Sequence, residues 1–231
     1  MKKNIVHIVL NEFTNDSRVI RQCKSLANNG NKVTVIAIWN KGLNKNENYF
    51  GFKIIRIALF TRALTKNPLV QIIKYLEFFL KALFKIRNIK PTVCHGHDPN
   101  ALVIAFFSKL FFRCKLIYDS HELWSDSIHM YGSKKILFKI GRAIEKFLIQ
   151  FADTVITVNK SIADIILKEN NINNVEIIRN IPELSQNKNS ILKNKFDLPK
   201  SKFNLIYVGN IEHGRGINKI INAFDLLNSN I

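Results

Sequence analysis

Cysteine is scarce in this chain of 231 residues, and the three present have no ligand-like spacing. Cys23, Cys94 and Cys114 each lie in an apolar run, which reads as small core residues in a reducing cytosol. Long hydrophobic runs are missing as well. The most apolar segments, 69–86 and 101–112, are broken by Lys74, Glu77, Lys81 and Lys85, or by Lys109. Both fall well short of the roughly 18 clean residues that a membrane span requires. No secretory leader is expected, because the run after Lys2 and Lys3, Asn4 to Leu10, is strand-like and soon turns polar. The turn after that run lacks the glycine-rich fingerprint of a dinucleotide site, so a nicotinamide cofactor loses its main support. Acidic residues are few: 17 against 35 lysines and arginines, a net charge of +18. That excess fits an anionic partner, such as a phospholipid surface or phosphate-bearing substrates. It fits equally a drift toward Lys, Asn and Ile that merely solvates the surface. Nucleic acid is not expected, because the phenylalanines lie in core-like runs and not exposed beside the charge.

What is present is ample core material, 47% hydrophobic with 10% aromatic, arranged around residues 93–122. The apolar run Thr92 to Cys94 reads as a strand leading into His95, Gly96, His97 and Asp98. Pro99 suits a first helical turn that Asp98 can cap. A helix from Asn100 to about Phe112 follows, then a strand from Lys115 to Tyr118 that leads into Asp119, Ser120, His121 and Glu122. Two parallel strands joined by a crossover helix place both His-acid groups at their carboxyl ends, the edge where open α/β sheets bind ligands.

The same alternation runs along most of the chain. Asn4–Leu10 is a strand; Val19, Ile20, Cys23, Leu26 and Ala27 define a helix opened by Asp16 or Ser17, and Val33–Ile38 is a second strand. The polar stretch Asn40–Asn48 reads as a loop and Lys53–Ala58 as a third strand. Between Leu69 and Ile86 the polar positions form one narrow stripe on an otherwise apolar helix, either packed or lying in a membrane interface. Ser133 opens a basic amphipathic helix, KKILFKIGRAIEKFLIQF. Strands are expected at Thr154–Val158 and Val175–Ile178, with Ser161 and Asp164 as a capping box between them. After a polar stretch holding Pro182 and Pro199, Phe203–Val208 reads as a strand and Ile217–Leu227 as a helix. One strand and one helix cannot form a core of their own, so the chain is expected to be an incomplete fragment.

The segments HGHDPNA (95–101), LIYDSHE (116–122), ADTVITVNKSIADII (152–166), VEIIRNIPE (175–183) and IYVGNIEHGRGINKIINAF (206–224) follow the order and spacing of the family 4 glycosyltransferases, and DSRVIRQCKSLANNGNKVTVIA (16–37) resembles their first helix and second strand. The resemblance implies a GT-B fold: α/β, a Rossmann-like parallel sheet with helices on both faces, followed by a truncated second Rossmann-like domain. The expected division is an acceptor-side domain over 1–180, a linker over 181–202, and the first strand-helix unit of a nucleotide-sugar-binding domain over 203–231. It implies a retaining, metal-independent transferase with no cofactor. Basic side chains and helix amino-termini would balance the leaving diphosphate.

By the same resemblance, His97, Asp98, His121 and Glu122 are the catalytic candidates. Gly209, Asn210, Arg215 and Gly216 are the donor-binding candidates, with no metal ligand. Asn15 and Arg18 are the acceptor-side candidates, and His95 is expected to point into the sheet and away from the site. Asn210 stands where many members carry arginine, the first loop lacks the family's paired glycines, and the E-x7-E motif would lie beyond Ile231. The expected partners are a nucleotide-sugar and a surface-glycan or lipid-linked acceptor. The expected place is the cytoplasm, at the inner membrane face if the basic helices meet anionic lipid. The chain alone is expected to show little transferase activity. Two alternatives are a non-catalytic basic module on anionic membrane or glycan, and a sugar-nucleotide 2-epimerase of the same architecture.

Overall fold

β1 (Asn4–Ile8) is the axis of the sheet, and its alternation already assigns both layers. Val6 and Ile8 face one core, Ile5 and Val9 the other. This computed structural model describes residues 2–65, 67–121, 135–182, 195–196, 205–209, 211 and 216–224. The chain divides into two compact units, 1–181 and 182–231.

In the first unit, α1 (Ser17–Asn28) leads to β2 (Lys32–Ile38), then β3 (Asn46–Tyr49) and β4 (Phe52–Ile57). A 3₁₀ turn (Phe60–Ala63) precedes α2 (Pro68–Ile89), β5 (Val93–His97), α3 (Asp98–Phe112) and β6 (Lys115–Ser120). The remainder is α4 (Lys135–Leu148), β7 (Thr154–Thr157), α5 (Lys160–Asn170) and β8 (Val175–Ile177). The strand order is β3-β4-β2-β1-β5-β6-β7-β8, with every pairing parallel except β3 with β4. The chain winds outward from β1 to β4, then restarts at β5 on the other side. The sheet's topological switch point therefore lies between β1 and β5.

Helices cover both faces. Val19 and Cys23 of α1 pack on Val33, Val35 and Ile54, while Phe78, Ala82 and Ile86 of α2 and Leu102 and Ile104 of α3 pack on Val6, Ile36 and Leu116. The three cysteines are free and buried. The helix starts follow local chemistry. Asp16 accepts a hydrogen bond from Val19 N, and Asn67 accepts one from Leu69 N with Pro68 in the first turn.

Several local expectations are corrected. Asn46–Tyr49 is a strand and not loop, because this polar segment needs only the edge of β4 to pair with. His97, and not Asp98, holds the cap position of α3, and Asp98 is its first residue at φ 69°. Asn159, and not Ser161, caps α5 by accepting from Ile162 N. In the second unit, 205–208 of the expected strand forms no strand among the described residues, whereas α6 (Ile217–Phe224) covers the described part of the expected helix. Ser133 lies outside the described residues.

Candidate active site

At the switch point, three adjacent strands send polar side chains to the same face. The register pairs His7 of β1 with His95 of β5, and His97 of β5 with Asp119 of β6. Successive side chains of a strand alternate between faces. His95 and His97 are two residues apart and therefore share a face, with rings stacked 4.3 Å apart. The expectation that His95 alone would turn inward is thus corrected, since both are buried. Gly96 lies between them. A Cβ there would come within 2.9 Å of the Ala101 carbonyl oxygen, so glycine is what lets the first turn of α3 close onto β5.

Asp119 is the hub. One carboxylate oxygen is ion-paired with Arg18, and the other accepts from Gln22 Nε2 at 2.9 Å. Both donors are on α1, so the ion pair ties that helix to the sheet. Asp119 Oδ2 also lies 3.3 Å from His97 Nδ1 and 3.6 Å from His121 Nε2. His97 Nδ1 is 3.3 Å from His121 Nε2, and on its other side His97 Nε2 is 2.9 Å from His7 Nδ1. Burial holds the His7 imidazole down to about 4. Burial, reinforced by the neighbouring histidines and Arg18, pushes His95 and His97 well below the usual histidine range. His97 is therefore a neutral imidazole near pH 7, able to accept or donate one hydrogen bond without bringing a charge. Among the described residues, five buried side-chain polar atoms have no hydrogen-bond partner, and four belong to this group: His7 Nε2, Arg18 Nε, Gln22 Oε1 and His95 Nε2, the last lying 3.8 Å from Asp119 Oδ2. Such atoms lower stability unless a water or ligand meets them.

A cleft of about 430 Å³ opens above it, lined by Leu10, Asn11 and Asp16 on one side and His97, Asp98, Asn100 and His121 on the other. Asp98 holds a left-handed φ that costs a non-glycine residue some energy, least for Asp and Asn. The sequence-expected residues thus separate. His97, Asp98 and His121 line one cleft. Arg18 is buried beneath it on Asp119, and Asn15 is exposed and outside the lining. Glu122, Asn210 and Arg215 lie outside the described residues. In the second unit, Gly216 takes φ 74° and its carbonyl accepts from Ile220 N, opening α6. Gly209 is exposed beside Tyr207. Among the described residues, two groups have ligand atoms close enough together for a metal, His7–His95–His97 and His97–Asp119–His121. In the second, a cation would share Asp119 with Arg18 and Gln22.

Sequence reasoning did not assign a role to His7, Gln22 or Asp119. His7 sits in the apolar run NIVHI, where a lone histidine reads as a core residue. Asp119 belongs to the DSHE segment and gave the only advance signal, an acid at a strand's carboxyl end.

A doubly wound sheet with a polar cleft at its switch point is the amino-terminal architecture of GT-B glycosyltransferases. The sequence profile of Glycosyltransferase Family 4 matches residues 17–185, well over half of the chain, and the chain belongs to that family. Among solved structures, sucrose-phosphate synthase from Thermosynechococcus elongatus is similar at TM-score 0.76 and 16% identity, covering 96% of this chain and 59% of its own. Anabaena HepE in complex with UDP-glucose is similar at TM-score 0.56 and 14% identity, covering 84% of this chain and 49% of its own. The chain thus spans between about half and three-fifths of these proteins, and the likeness establishes the fold. A comparison with functionally curated proteins returns no match.

Proposed function

We propose that this chain is the acceptor-side part of a retaining, metal-independent glycosyltransferase. It would move a hexose-type sugar from a nucleotide-sugar to a surface-glycan or lipid-linked acceptor, at the cytoplasmic face of a membrane. The observation that carries the reading is the convergence of His97 and His121 on one cleft at the switch point, above a buried Asp119–Arg18 pair. The neutral His97 ring lines the cleft with its nitrogens toward His7 and toward Asp119 and His121, so a sugar hydroxyl would have to displace one of those contacts to bond it. Asp119 holds both His97 and His121 in orientation, and Asp98 presents a carboxylate at the cleft's rim. Arg18 is buried and ion-paired with Asp119, so it acts beneath the acceptor without touching it. HepE was solved with UDP-glucose, which supports a uridine nucleotide-sugar as the first donor to try. Gly216 at the start of α6, with Arg215 before it, is the proposed diphosphate end of the donor site.

The test is transfer from labelled nucleotide-sugars with EDTA present. It compares the 231-residue chain with its residues 1–181 fused to the donor half of a family 4 enzyme. The chain alone should turn over little and the fusion measurably, with His97→Ala lowering kcat/KM at least about a hundredfold. Equal activity of His97→Ala and the parent would refute the site. Robust turnover by the chain alone would refute the need for a donor half.

One observation favours a second reading. On α2, Leu69, Ile72, Ile73, Leu76, Leu80 and Phe84 are exposed on a strongly basic chain, which suits a non-catalytic module held on anionic lipid. Co-sedimentation with anionic vesicles that falls with salt, without any transfer by the fusion, would favour it.

A further inference from the structure

Beside the histidine cleft lies a second cavity of about 590 Å³, between the carboxyl ends of β1, β2 and β4 and the first turns of α2. Its walls are mostly apolar: Leu10, Ile38, Leu59, Ile72 and Phe78. The two cations at its rim are already engaged. Arg62 is ion-paired with Glu12 at 2.5 Å, and Lys74 Nζ donates to the carbonyls of Arg62, Leu64 and Thr65. With its cations engaged in this way the cavity is poorly suited to an anion and well suited to an apolar group, and its size is that of a small-molecule pocket. Leu10 and Asn100 line both this cavity and the cleft of His97 and His121. At that junction Tyr75 Oη donates to the Asn100 carbonyl at 2.8 Å, fixing α2 against the first turn of α3. The two spaces therefore adjoin, one polar and one apolar, so that one molecule long enough to pass Leu10 and Asn100 could reach into both.

We infer that the apolar cavity is a subsite for the hydrocarbon chain of an amphiphilic acceptor whose polar end lies in the histidine cleft. This rests on the transferase reading and narrows it. Of the two acceptor classes above, a soluble glycan would leave the apolar walls wet, whereas a chain attached to the acceptor hydroxyl or phosphate dries them and positions that group. Exposed Leu64, just after the 3₁₀ turn, and Leu69, at the start of α2, extend the apolar surface.

The experiment measures binding by calorimetry to the 231-residue chain, without donor or turnover. The probes are octyl glucoside and farnesyl phosphate below their micellar concentrations, with glucose and inorganic phosphate as head-group controls. Both amphiphiles should bind and both controls should not. Ile72→Glu, a substitution at a half-exposed wall position, should weaken amphiphile binding about tenfold or more. Phe84→Glu lies on the same helix but lines a different cavity, and should leave binding within about twofold. Should Ile72→Glu melt early, Gln71→Trp, which fills the mouth, takes its place with the same expected loss. Amphiphiles binding no better than their head groups, or equal losses in the Ile72 and Phe84 variants, would overturn the inference, the latter by showing general adsorption to the bare helix. Amphiphile binding can fail while the fusion still transfers sugar to a soluble glycan, and can hold while no transfer occurs. The two readings are thereby separable.

Discussion

On the α1 face of the sheet, His7, His95, His97 and Asp119 are buried, whereas on α2 Leu69, Ile73, Leu80 and Phe84 are between 51% and 71% exposed. The ordinary arrangement is reversed in both places: polar groups are inside, and large apolar groups are outside. Each reversal costs stability, the first through desolvation and unpartnered nitrogens, the second through wetted hydrocarbon. The buried polar groups lie under the histidine cleft, and of the bare α2 side chains Ile72 lines the adjoining apolar cavity while Leu80 and Phe84 line another. The comparison teaches that the two reversals are separate costs, which different variants can address one at a time.

The most severe way to break the polar side is Asp119→Ala. It leaves Arg18 buried without its carboxylate and releases Gln22, and should cost about 3–5 kcal/mol in urea unfolding. Gly96→Ala comes next. The new methyl meets backbone atoms of Ala101 and Leu102 that cannot swing aside, and about 1–3 kcal/mol should be lost as the first turn of α3 is pushed off β5.

The pH dependence separates the two regions. In the folded chain His7 is held down to about 4, and His95 and His97 are lowered too. The unfolded chain therefore binds more protons below the ordinary histidine value of about 6.5. Stability should be full above that value and fall as pH drops through it toward 4, earlier than carboxylates alone would dictate. Glu77, outside the cluster, adds a later loss. Its carboxylate accepts from Phe60 N, Thr61 N, Thr61 Oγ1 and Lys81 Nζ. Those bonds outweigh its burial and hold its pKa to about 2. A depressed carboxylate stabilises above its unfolded value, and that contribution disappears as pH falls from about 4.3 toward 2. Glu77→Gln should cost about 1 kcal/mol at pH 7 and flatten only this lower part of the urea-midpoint profile. Smallest of all, Phe84→Ser on the exposed face should change stability by less than about 0.5 kcal/mol; a larger loss would mean that this face is covered in solution.

Much of the polar side was legible in the sequence. The strand-turn-helix pattern around HGHDP and the DSHE segment placed His97 and His121 at one edge, because alternation of strands and helices with short turns leaves few topologies. His7 was not legible, since its role depends on the register of β1 against β5, a pairing between residues 88 positions apart such as His7 and His95. Asp119 was read as the end of a strand and not as a hub, because its partners Arg18 and Gln22 arrive from a helix about a hundred residues earlier. The apolar side was half legible. The helix over residues 69–86 was read as either packed or lying in a membrane interface; Phe78, Ala82 and Ile86 are packed, and Leu80 and Phe84 are exposed.

The most direct measurement is the urea midpoint of His95→Leu at pH 7 and at pH 5. His95 is buried, its Nε2 has no hydrogen-bond partner and lies 3.8 Å from Asp119 Oδ2, and its ring stacks on His97. If the cluster is kept at the expense of stability, the apolar replacement should be at least as stable as the parent at pH 7 and more stable at pH 5, where one fewer histidine opposes folding. A loss of more than about 2 kcal/mol at pH 7 would show that the histidines hold the sheet together, and would contradict the account.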